Sequence, residues 1–375
     1  MQLITLLSKV NDDRKSRGKR YNLSSALVLV ISGLSCGYNT LASIHRWGKR
    51  LGHQALINMG FYDGKLMCYS NLTIVLRKAN CDDITKIMQE LSDSGTKQIL
   101  NTDGKFLKKS DSFGSNEKTQ ILTMFNSETG VTTGYQEIEN KDEYQAMLNL
   151  LKKSDIKDAI ITADAAFAHQ EILDAIKEKG ADFAITLKGN EPNLLRYTIN
   201  IFTEAVQKGI TIRSYKEETD CNHGRIEQRS IEVIDMPFEY LNGHRHITQL
   251  CKITRYRELK NTGQPPSEEE AYMITSVSCK SSPEFLLHLN RGHWGCENKL
   301  NWVKDNVFLE DNSTISTGKA PNVMSLLRSF SLQIIRTVSN KITETREMFN
   351  HKRWLLWRKL NSLEKGFKNY LPFST

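Results

Sequence analysis

An α/β fold behind a helical N-terminal region follows from three features of the sequence. Residues 1 to about 95 carry apolar side chains at helical spacing. From about residue 96, short apolar runs punctuated by Gly or Asp alternate with helical stretches, the order expected of an α/β sheet. Between about 190 and 280 apolar and polar residues alternate at the period of strands, which reads as a β-rich insertion.

The elements follow in order. "LSSALVLVISGLSCGYNTLASIHRWGKRL" is helical in spacing and is broken at Gly33 and Gly37. Ser70 offers an N-cap to one further helix, and Asp82 or Asp83 to the next. "KQILNTDGKFL", "TQILTMFNSETGVTTGYQEI" and "DAIITADAAF" are strand candidates, and "SETGVTTGY" predicts a hairpin turn. "KDEYQAMLNLLKK" and "AHQEILDAIKEKG" are helical, the second stopped by Gly180, and "ADFAITLKGNE" is a strand ending in a Gly turn. The order is three strands, helix, strand, helix, strand, which predicts a mixed sheet. Residues 283–304 are expected to be helical, with Pro283 in the first turn. The stretch 322–375 is mostly helical, and from Arg336 on nine Lys and Arg stand against three Glu. That tail is either a solvated basic helix face or a phosphate contact. The expected division is a helical domain at 1–95, the first part of the core at 96–189, the insertion at 190–280, the last part of the core at 281–335 and the basic tail at 336–375.

The 375 residues carry a net charge of +8, which suits a polyanionic partner. Nucleic acid fits better than a membrane surface, because no long amphipathic basic helix dominates. The longest apolar run, "SSALVLVISGL", is far short of the ~20 residues that span a bilayer. The seven Cys are odd in number and form no C-x-x-C pair, which points to reduced thiols in a cytosolic protein.

Three acidic residues stand out. Asp103 and Asp164 each follow an apolar run, where a buried strand emerges. Singly, each suits a turn or a helix cap. Together they sit at the sheet edge where ligands of α/β proteins collect, and their hard oxygens suit Mg²⁺ or Mn²⁺. Glu297 lies in "RGHWGCENKLNWVKD". On a continuous helix His293, Glu297, Asn301 and Lys304 form one stripe, suited to a metal and a phosphate or to surface salt bridges. His293 and Cys296 have the spacing of half a zinc site, but no second Cys/His pair completes it.

With these residues in view, the chain resembles the DDE transposases of bacterial insertion sequences, in the group that includes the H-repeat-associated transposases. The matching blocks include "RGKRYNLSSALVLVISGLSCGYNTLASIHRW", "NTDGKFLKKS", "ITADAAFAHQEI", "FAITLKGNEPNLL", "HGRIEQRSIEV", "YMITSV" and "RGHWGCENKLNWVKDNVFLEDNSTISTGKAPNVMSLLR". They run in fixed order over nearly the whole chain. The sequence departs in two places: Asn290 and His293 stand where the wider superfamily often has Tyr and Arg, and His169 stands where relatives tend to have Gln.

The resemblance implies an RNase H-like core interrupted by the β-rich insertion, with Asp103, Asp164 and Glu297 as the catalytic acids and the ligands of two Mg²⁺ or Mn²⁺ ions. It implies a DNA transposase that cuts element ends and joins the 3′-OH to target DNA. The partners would be terminal inverted repeats and target DNA, with a homodimer in the DNA complex, and the location the cytoplasm, on the nucleoid. Lys105, Lys188, Arg225, Arg229, Arg291 and Lys304 are the expected DNA-handling residues, with His223 and His293 as auxiliaries. In "HGRIEQR", Arg225, Glu227 and Arg229 share a strand face, as a phosphate grip or a salt-bridged surface. Trp294 would stack on a splayed base or pack in the core. Two rival readings are a DNA-binding relative without catalysis, and an RNase H-like nuclease that cuts but does not join.

Overall fold

A computed structural model of the chain describes residues 3–16, 19–91, 98–107, 118–205, 207–221, 224–236, 244–260, 265–337 and 349–355. Its contacts divide the chain into two compact units. The first comprises Met1–Asp93, Gly104–Lys141 and Glu297–Thr375; the second comprises Ser94–Asp103 and Asp142–Cys296. Strand β1 (Ile99–Phe106) contributes its first half to the second unit and its last residues to the first.

The first unit opens with six helices: α1 (Leu3–Leu7), α2 (Leu23–Ser35), α3 (Leu41–Gly48), α4 (His53–Asn58), α5 (Tyr69–Leu76) and α6 (Cys81–Glu90). Helix α2 is buried along nearly its whole length, which its apolar composition requires. Gly37 ends it with φ +98°, a left-handed conformation that costs Gly little. The Tyr38 and Gly37 amides donate back to the Gly33 and Leu34 carbonyls at 3.0 and 3.1 Å, closing the helix end. Asn80 caps α6 through the Asp82 and Asp83 amides, so those two acids stand in the first turn and Asn80 takes the capping role expected of them. Strands β2 (Gln120–Asn126) and β3 (Val131–Ile138) form the expected antiparallel hairpin, and β2 lies beside β1. The Asn126 side chain accepts the Glu128 and Thr129 amides at 3.0 Å, and Gly130 completes the turn with φ +75°. Two later helices, α11 (Trp302–Asn306) and α12 (Ala320–Thr337), belong to this unit. Helix α12 packs on α2 and α6, with Ser331 donating to the Ile31 carbonyl at 3.2 Å and Gln333 to the Met88 carbonyl at 3.1 Å.

The second unit is a sheet in the order β1-β4-β5-β9-β8-β7-β6. Its strands are β4 (Ile160–Ala163), β5 (Asp182–Leu187), β6 (Arg213–Lys216), β7 (Arg225–Asp235), β8 (Gln249–Leu259) and β9 (Ser267–Thr275). Helices α7 (Glu143–Lys153), α8 (Gln170–Glu178), α9 (Pro192–Glu204) and α10 (Pro283–His293) complete it. Strands β1, β4 and β5 are parallel, and β5 is joined by β9 antiparallel. Strands β6 to β9, from the stretch expected to be an insertion, therefore continue the same sheet. Their alternating apolar residues Ile231, Val233, Cys251, Ile253 and Met273 share one core with Ile99, Ile160 and Ala184, covered by Leu286, Leu287 and Leu289 of α10. The stretch expected to be β-rich opens with α9, whose Pro192 stands in the first turn.

The expected helix over 283–304 is interrupted. Helix α10 ends at His293, a π-helical turn spans Cys296–Asn301, and α11 follows. The wider turn breaks the spacing on which the stripe of His293, Glu297, Asn301 and Lys304 depended. The basic tail falls mostly outside the described residues, as does His223.

Candidate active site

In the second unit, β1 is buried from Ile99 to Thr102 and emerges at Asp103. Strand β4 is buried throughout, and Asp164 follows its last residue. The parallel register pairs Asn101 with Thr162 and Thr102 with Ala163. Asp103 and Asp164 are therefore the residues that follow the last β1–β4 pair: Asp164 stands just beyond the end of β4, while β1 runs on from Asp103 to Phe106. Beneath them the buried Asn101 amide donates to Thr162 Oγ1 at 2.7 Å, and that oxygen lies 3.4 Å from His293 Nδ1. Sequence reasoning missed this polar floor. Its only signal was two polar residues inside apolar runs.

Asp164 caps a short 3₁₀ turn, Ala165–Phe167, by accepting the Ala165 amide at 2.8 Å. Lys188, directly after β5, places Nζ 2.8 and 3.2 Å from the two Asp164 oxygens. Asp164 and Lys188 thus directly follow the last residues of β4 and β5, and Asp103 lies within the neighbouring strand β1. Burial raises the Asp164 pKa; the Lys188 bond, the Ala165 amide and the charges of Lys188 and His293 outweigh it, so the carboxyl titrates below the usual carboxylate range. Burial pushes His293 below its ordinary value; Asp164 opposes this and Lys188 adds to it, which keeps the imidazole neutral at neutral pH. Nearby, His169 Nδ1 lies 3.1 Å from Glu191 Oε1, and Asn190 donates to the Ala165 carbonyl at 2.6 Å.

In the first unit, Glu297 is exposed on the π-helical turn, between buried Cys296 and buried Leu300. π-Helical turns recur at functional sites, where the extra residue redirects a side chain. Trp294 is 59% exposed, which excludes the core-packing role and leaves its ring open to stack.

Several expected DNA contacts have other partners. Lys304 is 1% exposed; its ammonium donates to Ser325 Oγ at 2.7 Å and lies 3.4 Å from Glu310. Lys105 pairs with Asp305 at 2.5 Å and with Glu310 at 2.9 Å, and Arg328 reaches Glu310 at 3.4 Å. This buried ion cluster corrects the expectation that Lys304 and Lys105 meet a phosphate, because an ammonium so enclosed presents nothing to DNA. Neither sequence spacing nor motif pointed to Glu310. Arg225, Arg229 and Arg255 surround the buried carboxylate of Glu227, Arg225 at 3.2 Å and Arg255 at 2.6 Å. Arg255 was missed, although it stands opposite Arg229 in the β7–β8 register. Arg291 pairs with Glu217 at 2.7 Å.

The donor set at Asp103 and Asp164 fits a divalent cation. It offers hard oxygens, and the Lys188 ammonium already supplies a positive charge to Asp164. Among the described residues no group of three His, Cys, Asp or Glu side chains is gathered tightly enough to hold a metal ion.

Two neighbouring carboxylates on a mixed sheet consistent with an RNase H-like core define an α/β protein with an acidic edge. Sequence comparison gives the family. The pattern described as "Transposase DDE domain" matches residues 94–331, and one described as "DDE_Tnp_1-associated" matches residues 4–90. The chain belongs to the DDE transposase family. It is 27% identical to the "Putative transposase YncI" of Escherichia coli O157:H7, over 89% of this chain and 87% of that one. It is 25% identical to the "H repeat-associated putative transposase YhhI" of Escherichia coli K12, over 89% of this chain and 90% of the relative.

Proposed function

We propose that the protein cuts the ends of a mobile DNA element and joins the freed ends to target DNA. A water attacks the phosphodiester at the element end and releases a 3′-OH. That hydroxyl then attacks a target phosphodiester, forms the new strand and displaces the target's own 3′-OH. Asp103, Asp164 and Glu297 would hold two divalent ions, Mg²⁺ or Mn²⁺, which when bound stabilise the attacking and leaving oxygens. The chain's own contribution is positional and electrostatic. Lys188, once released by Asp164, supplies positive charge beside the scissile phosphate. The exposed ring of Trp294 offers a stacking surface, and the outward-facing parts of Arg225, Arg229 and Arg291 offer phosphate contacts.

The observation that supports this reading is the parallel register of β1 and β4, after whose last pair, Thr102 with Ala163, Asp103 and Asp164 follow. The test is incubation of the full chain with labelled inverted repeats from the DNA flanking its reading frame, with Mg²⁺. Cleavage with joined product supports the proposal. Cleavage without joining indicates a nuclease, and binding without cleavage a DNA-binding relative. Asp103→Asn is expected to lower cleavage by at least about a thousandfold while leaving DNA binding within about twofold, the scale of losing one fixed electrostatic contributor. Cleavage surviving in Asp103→Asn would falsify the site assignment.

A further inference from the structure

A cavity of about 530 Å³ within the first unit is lined by Tyr38, Asn39, Asn306, Asn350, Arg353 and Trp354 among others. Its size falls in the range of small-molecule sites. Gly37 ends α2 and delivers Tyr38 and Asn39 to one wall, while α11 ends at Asn306 on another.

Arg353 distinguishes this cavity. It is 4% exposed, with its guanidinium 4.6 Å from the centre of the Phe308 ring. Nε and Nη2 donate to the Leu34 carbonyl at 3.2 and 2.8 Å, Nη1 donates to the Val307 carbonyl at 2.7 Å, and Nη2 also donates to Asn39 Oδ1. All these acceptors are uncharged. They use four of the five guanidinium protons and leave one on Nη1. Among the described residues no carboxylate pairs with Arg353. Burial lowers its pKa to about 10, with Cys36 opposing, so it stays protonated at neutral pH. Burial pushes the Cys36 thiol well above its ordinary value, so it supplies no negative charge. A buried cation on a cavity wall with no counter-charge among the described residues is costly until an anion joins it.

The rest of the wall suits a particular anion. The exposed Asn350 amide offers a donor and an acceptor of the kind that match base edges, while Asn39 and Asn306 already give one amide proton each to the Val307 and Trp302 carbonyls, at 3.1 and 3.0 Å, and keep their second. Trp354 is 48% exposed and stacks on His351, and Tyr38 stacks on Trp47, so both rings are held in place. We propose that this cavity binds a nucleotide, its phosphate meeting Arg353 and its base lying among the Asn amides and the Tyr38 and Trp354 rings. The nucleotide comes either from the free pool or from an unstacked position in a DNA strand. The inference stands on the cavity and does not require the cleavage chemistry assigned to Asp103.

Calorimetric titration of the full chain tests it. The probes are dAMP, dGMP, dCMP and dTMP, each beside its nucleoside and inorganic phosphate. At least one mononucleotide is expected to bind at least tenfold tighter than its nucleoside and than phosphate. Trp354→Ala should weaken that binding about tenfold, the scale of one lost base–aromatic stack. Asn350→Ala should weaken it as well. Both side chains sit at exposed positions, so circular dichroism should show an unchanged fold; Arg353→Met, which also loses bonds to two carbonyls, is a secondary variant. A short single-stranded oligonucleotide that displaces the mononucleotide identifies DNA as the source, and one that does not identifies the free pool. The proposal is overturned if no mononucleotide binds, if phosphate alone binds as tightly, or if both variants bind like the wild type.

Discussion

His293, whose Nδ1 lies 3.4 Å from Thr162 Oγ1, is a neutral, largely enclosed imidazole whose pKa burial holds below 6.5. The unfolded chain takes up that proton near pH 6.5, and the folded chain only at lower pH. The unfolded state therefore binds more protons in this window, and stability falls as the pH drops from about 6.5 through the folded value. In His293→Gln this loss should be absent. The check is Tm against pH between about 7.5 and 4.5, where the wild-type curve should fall more steeply than the variant's. Parallel curves would show that His293 does not titrate differently on folding. Asp164 has the opposite exposure. Its bond to Lys188 lies near the surface, so its stabilising effect is small and its importance is electrostatic.

At the scale of elements, Glu310 ties three segments together. It meets Lys105 from β1, Lys304 from α11 and Arg328 from α12, and Asp305 shares Lys105. Burial raises the Glu310 pKa, but the three cations outweigh it and hold the carboxylate ionised far below its usual range. Glu310→Ala would leave buried cations unpaired, and we expect it to cost about 3–5 kcal/mol in denaturant unfolding. Lys304→Met should cost distinctly less, because Lys105 and Arg328 would remain to balance Glu310 and Asp305. Equal losses from the two variants would contradict this account. The π-helical turn bearing Glu297 leads straight into α11, so the cluster also anchors the C-terminal side of that turn.

For the whole molecule, the net charge of +8 anticipates salt-sensitive binding to DNA. A phosphate contact contributes about 0.9 to the slope of log K against log salt. Arg225, whose side chain is 40% exposed, should lower the slope by about that amount when changed to Gln. Lys304→Met should leave the slope unchanged, because its ammonium is enclosed. Filter-binding titrations from 50 to 200 mM salt, the range in which such slopes are clear, measure both. Among the described residues no helix is long and apolar enough to cross a membrane.

Much of this architecture is local and was legible in the sequence. The order of strands and helices follows from apolar periods, the β2–β3 turn from its Asn and Gly, and the emergence of Asp103 and Asp164 from the end of two apolar runs. Glu297 was singled out by its neighbours, while the irregular turn that carries it had no periodic signature. Tertiary structure alone decided which strands are neighbours, so that β9 joins β5 and β6 to β9 extend the sheet. It also decided which charges meet. Lys105 finds Glu310 across 205 residues, and Arg353 finds Asn39 across 314. Spacing along a chain reports the period of an element and the face a residue occupies. It carries no information about a partner brought near only by packing, and packing turned two expected phosphate contacts into a buried ion cluster and an arginine in the tail into the wall of a cavity.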